Sequence, residues 1–186
     1  MADISKALPV VLHHEVSPIT GPYSNHPNDH GGPTCYGITL AEYQLYKPGA
    51  TVEDLKHIPM SDVQTIYRAN YWMVLGLDDI LSQMVATKVF DICVNAGPGQ
   101  ATLLAQRACI TCGQKVEADG HMGPITRSAI NKCDPTKFVV ALKQGQANFY
   151  NAIVQHDPTQ KVFLKGWLSR ADWPVQVIDQ GPDMLA

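Results

Sequence analysis

Apolar residues recur at helical spacing through most of this chain, in segments divided by clusters of Gly, Pro and Asn, and the pattern predicts a mainly α protein. Ile4, Leu8, Val11 and Leu12 share one face of a first segment ending at His14-Glu15, with Pro9 placing its well-formed part from about that residue onward. Between Val16 and Thr34 a succession of Pro, Gly and Asn leaves little room for regular structure, and loops this long usually serve function. Thr39 with Glu42, and Ser61 with Gln64, match the helix capping box and predict two starts, while Tyr36-Gly37-Ile38 reads as a short strand. A buried helix is predicted around Met84, Val85, Val89, Phe90 and Val94. It ends in the Gly-Pro turn after Asn95, the candidate boundary between a lobe of residues 1–94 and a helical lobe of residues 95–186. In the second lobe Leu103 and Leu104 open one helix, the turn Asp119 to Pro124 leads into a short one, and Phe138 to Leu142 open a longer one.

With 186 residues, 45% hydrophobic and 17% charged, the chain is long enough and apolar enough to fold around a core. A net charge of −3 without a run of either sign argues against nucleic acid as a partner. No apolar stretch approaches the roughly 20 residues that a membrane helix needs, so no membrane insertion is expected. The N-terminus lacks the basic-then-apolar layout of a secretory signal, which predicts a protein that starts in the cytoplasm. Five cysteines, an odd number, are expected to be mainly reduced, and Cys109-Ile-Thr-Cys112 reads as two thiols one helical turn apart.

The candidate chemistry lies at the end of the first helix. Cleaving a glycosidic bond needs a carboxylic acid kept protonated near neutral pH, and a Glu leaving an apolar helix face at a cleft suits that role. Glu15 stands at such a place, and Asp29 or Thr34 can organise water from the facing loop. By spacing alone a helix-terminal Glu is more often a solvated surface carboxylate, and Asp29 more often a turn cap than a catalyst.

The wording around them is more specific. Glu15, then Gly21-Pro22-Tyr23-Ser24-Asn25, Pro27-Asn28-Asp29, Gly31-Gly32-Pro33-Thr34 and Tyr36-Gly37-Ile38-Thr39, resembles the N-terminal pattern of glycoside hydrolase family 108, peptidoglycan N-acetylmuramidases frequent among phage endolysins. Ile66 to Trp72, Phe90 to Pro98 and Gln106-Arg107-Ala108 look like later motifs of that family. One departure is clear: Val16-Ser17-Pro18-Ile19-Thr20 intervenes before Gly21-Pro22-Tyr23, where the family pattern follows its glutamate almost at once with Gly-Gly-Tyr. Asp119-Gly120-His121-Met122-Gly123-Pro124-Ile125-Thr126 resembles a turn of the peptidoglycan-binding domain that usually completes the family, and it reads as structural first and ligand-binding second.

The resemblance implies a lysozyme-like, two-lobed helical fold with a small β or loop element by the active site. It implies Glu15 as general acid and Asp29 and Thr34 as holders of water, with Tyr23, Tyr36, Trp72 and Asn95 as substrate-binding candidates. Hydrolysis of the β-1,4 bond between N-acetylmuramic acid and N-acetylglucosamine is the expected reaction, with no cofactor and no metal. Bacterial peptidoglycan is the expected partner of a monomer that waits in the host cytoplasm and, if a phage protein, reaches the wall once a holin opens the inner membrane. Two readings compete. His13, His14, His26 and His30 flank Glu15 and Asp29, as ligands of a zinc-dependent wall amidase or peptidase would, although the helical His-Glu-x-x-His spacing is missing. The other is a non-catalytic peptidoglycan-binding or phage structural module in which the insertion has displaced the acid.

Overall fold

A computed structural model describes residues 1–16, 21–25 and 32–173. Helix α1, Ile4–Glu15, starts at Asp3, whose carboxylate accepts the Ser5 amide at 2.8 Å and satisfies one of the amides that a helix start leaves unpaired. Pro9 lies inside α1, so the helix begins earlier than the proline suggested. The cap and the buried face formed by Ala7, Leu8, Val10, Val11 and Leu12 offset the one backbone hydrogen bond that the ring removes.

Three two-residue strands follow, Tyr23–Ser24 (β1), Thr34–Cys35 (β2) and Ile38–Thr39 (β3), forming an antiparallel sheet in the order β1-β2-β3. Tyr23 pairs with Cys35, and Thr34 with Thr39. The expected strand at Tyr36-Gly37-Ile38 is corrected: Tyr36 and Gly37 form the hairpin turn, with φ of 52° and 74°. Positive φ at both central residues gives the twist that a two-residue hairpin loop needs, which is why a glycine sits there.

Thr39 caps α2, Leu40–Tyr46, through the predicted box with Glu42. Helix α3, Val52–Lys56, uses a box that the sequence reading missed, because Asp54 stands where Glu or Gln is usual. Its hydrogen bonds from Thr51 hold the Asp54 carboxyl well below the usual carboxylate range. Helix α4, Met60–Tyr67, starts after Pro59 without a side-chain cap, so the expected Ser61 and Gln64 box is not formed. A π-helical turn, Arg68–Trp72, extends α4 and delivers Trp72 into the core.

Helix α5, Gln83–Ala96, is the axle, buried at every position from Met84 to Cys93. It packs against α1 on one side and against α6, Pro98–Thr111, on the other. Gly97, at φ 82°, caps α5 and leads straight into α6. Helices α7, Pro124–Lys132, α8, Pro135–His156, and α9, Lys161–Ala171, complete the C-terminal lobe, with α8 against α6, α5 and α9. This is the mainly helical, two-lobed fold with a small sheet that the sequence predicted. No helix among the described residues is long and apolar enough to cross a membrane.

The turn before α7 is held from within. Gln106, buried on α6, donates to the Asp119 carboxylate at 2.7 Å and accepts the Gly120 amide at 3.0 Å. Replacing Gln106 with Ala leaves these partners unmatched and is expected to lower stability by about 1–3 kcal/mol, read as a shift of the urea unfolding midpoint.

Candidate active site

Glu15 ends α1 at the junction of the two lobes, where α5, α9 and the hairpin turn converge on it. Its Oε1 accepts from Arg170 Nη1 at 2.7 Å. Arg170 comes from α9, 155 residues away in sequence, and also donates through Nε to Asp91 Oδ1 at 2.9 Å. Lys88, one turn before Asp91 on α5, donates to the Arg170 carbonyl at 3.0 Å and lies 3.5 Å from Asp91 Oδ2. Side-chain exposure is 1% for Lys88, 3% for Asp91, 10% for Arg170 and 22% for Glu15, so only the glutamate opens appreciably to solvent. Lys88 and Arg170 thus face Asp91 and Glu15 in a largely buried site. Burial pushes the Lys88 ammonium down, with Asp91 opposing it. For Arg170 burial works the same way, yet the Asp91 and Glu15 carboxylates outweigh it and raise the guanidinium further.

The hairpin supplies the other wall. Tyr67 of α4 donates its hydroxyl to the Tyr36 carbonyl at 2.7 Å, pinning the turn. A Cβ on Gly37 would meet the Tyr67 hydroxyl at 3.2 Å and Glu15 Oε2 at 3.3 Å, so the glycine lets the turn lie close over the carboxylate. Burial, then the neighbouring Glu15 charge, pushes the Tyr67 phenol far up, and it serves only as a neutral donor.

Among the sequence-predicted residues, Glu15, Tyr36 and Gly37 come together here. Thr34 is half-buried in β2, just before the turn, and Tyr23 is half-buried on β1 with Lys56 Nζ 5.6 Å from its ring centroid. Asp29, His26 and His30 lie outside the described residues. Trp72 is corrected as a sugar-binding candidate: it is fully buried, donates its indole N–H to Asp78 at 2.7 Å and meets Phe90 edge-on. A ring this size at a π-helical turn is more profitably packed in the core than held at the surface. Asn95 is exposed at the end of α5, and its Oδ1 accepts from the Tyr150 hydroxyl at 2.5 Å.

Arg170, Asp91, Lys88 and Tyr67 escaped the sequence reading as site residues, although Tyr67 and Asp91 stood inside the quoted motifs. A signal for two of them exists: Lys88 and Asp91 are charged positions within an otherwise apolar helix. The aromatic series Phe163, Trp167 and Tyr150 was also missed. Trp167 stacks on Tyr150 at 5.3 Å and meets Phe163 at 5.7 Å, and Phe163 is exposed. Phe163, Trp167 and Arg170 fall on one face of α9, so the series runs toward the ionic cluster.

His13 and His14 pack on Trp173, with ring centroids 4.9 and 4.6 Å away. Among the described residues no three His, Cys, Asp or Glu side chains are grouped to hold a metal ion. The cysteines among them are free thiols.

A helical molecule of two lobes, with a glutamate at their junction beside a small sheet, is lysozyme-like. Residues 8–97 match the family model Glycosyl hydrolase 108, and residues 100–172 match the Predicted Peptidoglycan domain. The chain is therefore a glycoside hydrolase that degrades peptidoglycan, with peptidoglycan as its partner. Twelve chains of solved structure match it. One, described as the structure of Brucella abortus SagA, is 27% identical over 96% of this chain and 94% of that chain, with a TM-score of 0.71. No curated protein matches the sequence.

Two outcomes follow from the ionic cluster and its neighbour. Asp91→Asn leaves Lys88 and Arg170 with too little negative charge and should cost about 3–5 kcal/mol in urea unfolding. Burial pushes the His14 imidazole down from 6.5 to about 4, so its stabilising share is complete above about pH 6.5 and is lost as pH falls toward 4. The melting temperature of the wild type should drop more steeply across that window than that of His14→Gln.

Proposed function

We propose that the chain is an N-acetylmuramidase that hydrolyses the β-1,4 bond between N-acetylmuramic acid and N-acetylglucosamine, with Glu15 as general acid. The observation that carries this reading is the setting of Glu15: a half-buried carboxylate at the lobe junction, held at one oxygen and turned at the other toward the exposed Gly37. An acid so fixed can meet a glycosidic oxygen without reorganising, which is where most of the rate advantage of a positioned group arises. Thr34, beside the turn, and Asp29 organise the attacking water. Tyr23 and Tyr36, half-buried on the small sheet and its turn, contact the sugar. Asn95, with its oxygen already taken by Tyr150, offers its amide N–H groups to an acetamido carbonyl. Sugar rings stack on aromatic faces through their apolar C–H surfaces, and Phe163 presents such a face on the C-terminal lobe. The protein acts as a monomer that accumulates in the host cytoplasm and meets the wall after a membrane-opening partner such as a holin has acted.

The test is mass spectrometry of fragments released from purified peptidoglycan. Wild type should release glycan with reducing-end muramic acid, and Glu15→Gln should lower the rate by about 10²–10⁴ while keeping its fold and its binding to the wall. Cleavage of amide or peptide bonds instead would transfer the assignment to metal-dependent chemistry at the histidines.

A further inference from the structure

We propose that Arg170, a residue of the peptidoglycan domain, is the positioning residue that fixes which oxygen of Glu15 carries the catalytic proton. The inference rests on Glu15 being the general acid. A guanidinium donates and never accepts, so Oε1, 2.7 Å from Nη1, can only be an acceptor and the acid proton sits on Oε2. Oε2 is the oxygen beside Gly37, an exposed residue of the hairpin turn. As the glycosidic C–O bond breaks, the proton passes from Oε2 to the leaving oxygen. Water adds its hydroxyl to the sugar carbon, and the proton it releases returns to Glu15 by way of solvent. The carboxylate that forms in this step is met by a cation already in place, so no charge has to be rearranged as the barrier is crossed.

Arg170 is itself immobilised. Nε and Nη2 bond the Asp91 side chain and carbonyl at 2.9 and 3.4 Å, and the Arg170 carbonyl accepts from Lys88 at 3.0 Å. Two contacts to α5 fix the guanidinium and a third holds the Arg170 backbone, and the guanidinium in turn fixes Glu15. Because residues 100–172 match the peptidoglycan domain, the segment named for binding completes the acid of the segment named for hydrolysis.

The experiment is steady-state kinetics on soluble, uncrosslinked glycan strands with full-length Arg170→Lys, Arg170→Ala and Glu15→Gln, each checked by thermal melting. Arg170→Lys keeps the charge but not the planar fork that reaches Asp91 and Glu15 together. A misplaced acid is expected to lower its kcat on the order of 100-fold with KM nearly unchanged. Added guanidinium at low millimolar concentration should restore part of the rate of Arg170→Ala and none of that of Glu15→Gln. A folded Arg170→Lys with wild-type kcat, or with a raised KM and unchanged kcat, overturns the inference. Should Arg170→Lys fail to fold, Arg170→Ala measured with and without added guanidinium decides in its place. A kcat restored by guanidinium at unchanged KM supports the inference, and a kcat that guanidinium leaves unchanged overturns it. An active Glu15→Gln would instead sink the assignment of the acid itself, and the two failures are distinguishable.

Discussion

Lys88, Asp91, Arg170 and Glu15 close a circuit of charge where α1, α5 and α9 meet, and the rest of the molecule is arranged so that this circuit is complete. Burying any one of these groups alone costs several kcal/mol, whereas the four together pair each charge with its opposite and satisfy most of their donors. The consequence is positional. α9 can dock on α5 only with Arg170 between the two carboxylates, and Glu15 can end α1 only where that guanidinium waits. Lobe packing and the setting of Glu15 are thus one constraint.

The hairpin depends on a second, smaller device. Its turn places Tyr36 in the left-handed region, where a residue with a side chain is strained, and the Tyr67 hydroxyl holds the Tyr36 carbonyl in that conformation. Gly37 then lies flat over the glutamate. The turn over Glu15 is therefore tied to α4, and Glu15 itself to α9. Each is fixed by a contact between residues far apart in the chain, which leaves the carboxylate little freedom to move between them.

The C-terminal lobe takes a different part from that of a tethered binding module. Its long helix α8 packs on α5 and α6, and Tyr150 of that helix bonds Asn95 at the end of α5. The Asp119 turn, which resembles a family signature, is spent on internal order, with Gln106 reading its carboxylate and its backbone. What this lobe presents outward is aromatic surface on α9, continuous along one helix face with the arginine that reaches Glu15.

The sequence by itself determined the helical class, the apolar face of α1, the capped start of α2 at Thr39 and the position of Glu15 at a helix end. These features follow from local periodicity and short-range hydrogen bonds, which neighbouring residues specify without help. Local rules misplaced the start of α1 at Pro9, the cap of α4 at Ser61 and the strand at Tyr36, because in each case distant packing or a turn conformation outweighed a local preference. Trp72 stood in a recognisable motif, but only the core around Phe90 decided that it faces inward. Arg170 was the least legible of all: no local pattern marks it as the partner of a carboxylate far away in the chain. Its role exists only because folding carries it across 155 residues to a carboxylate that would otherwise stand unpaired at the end of α1.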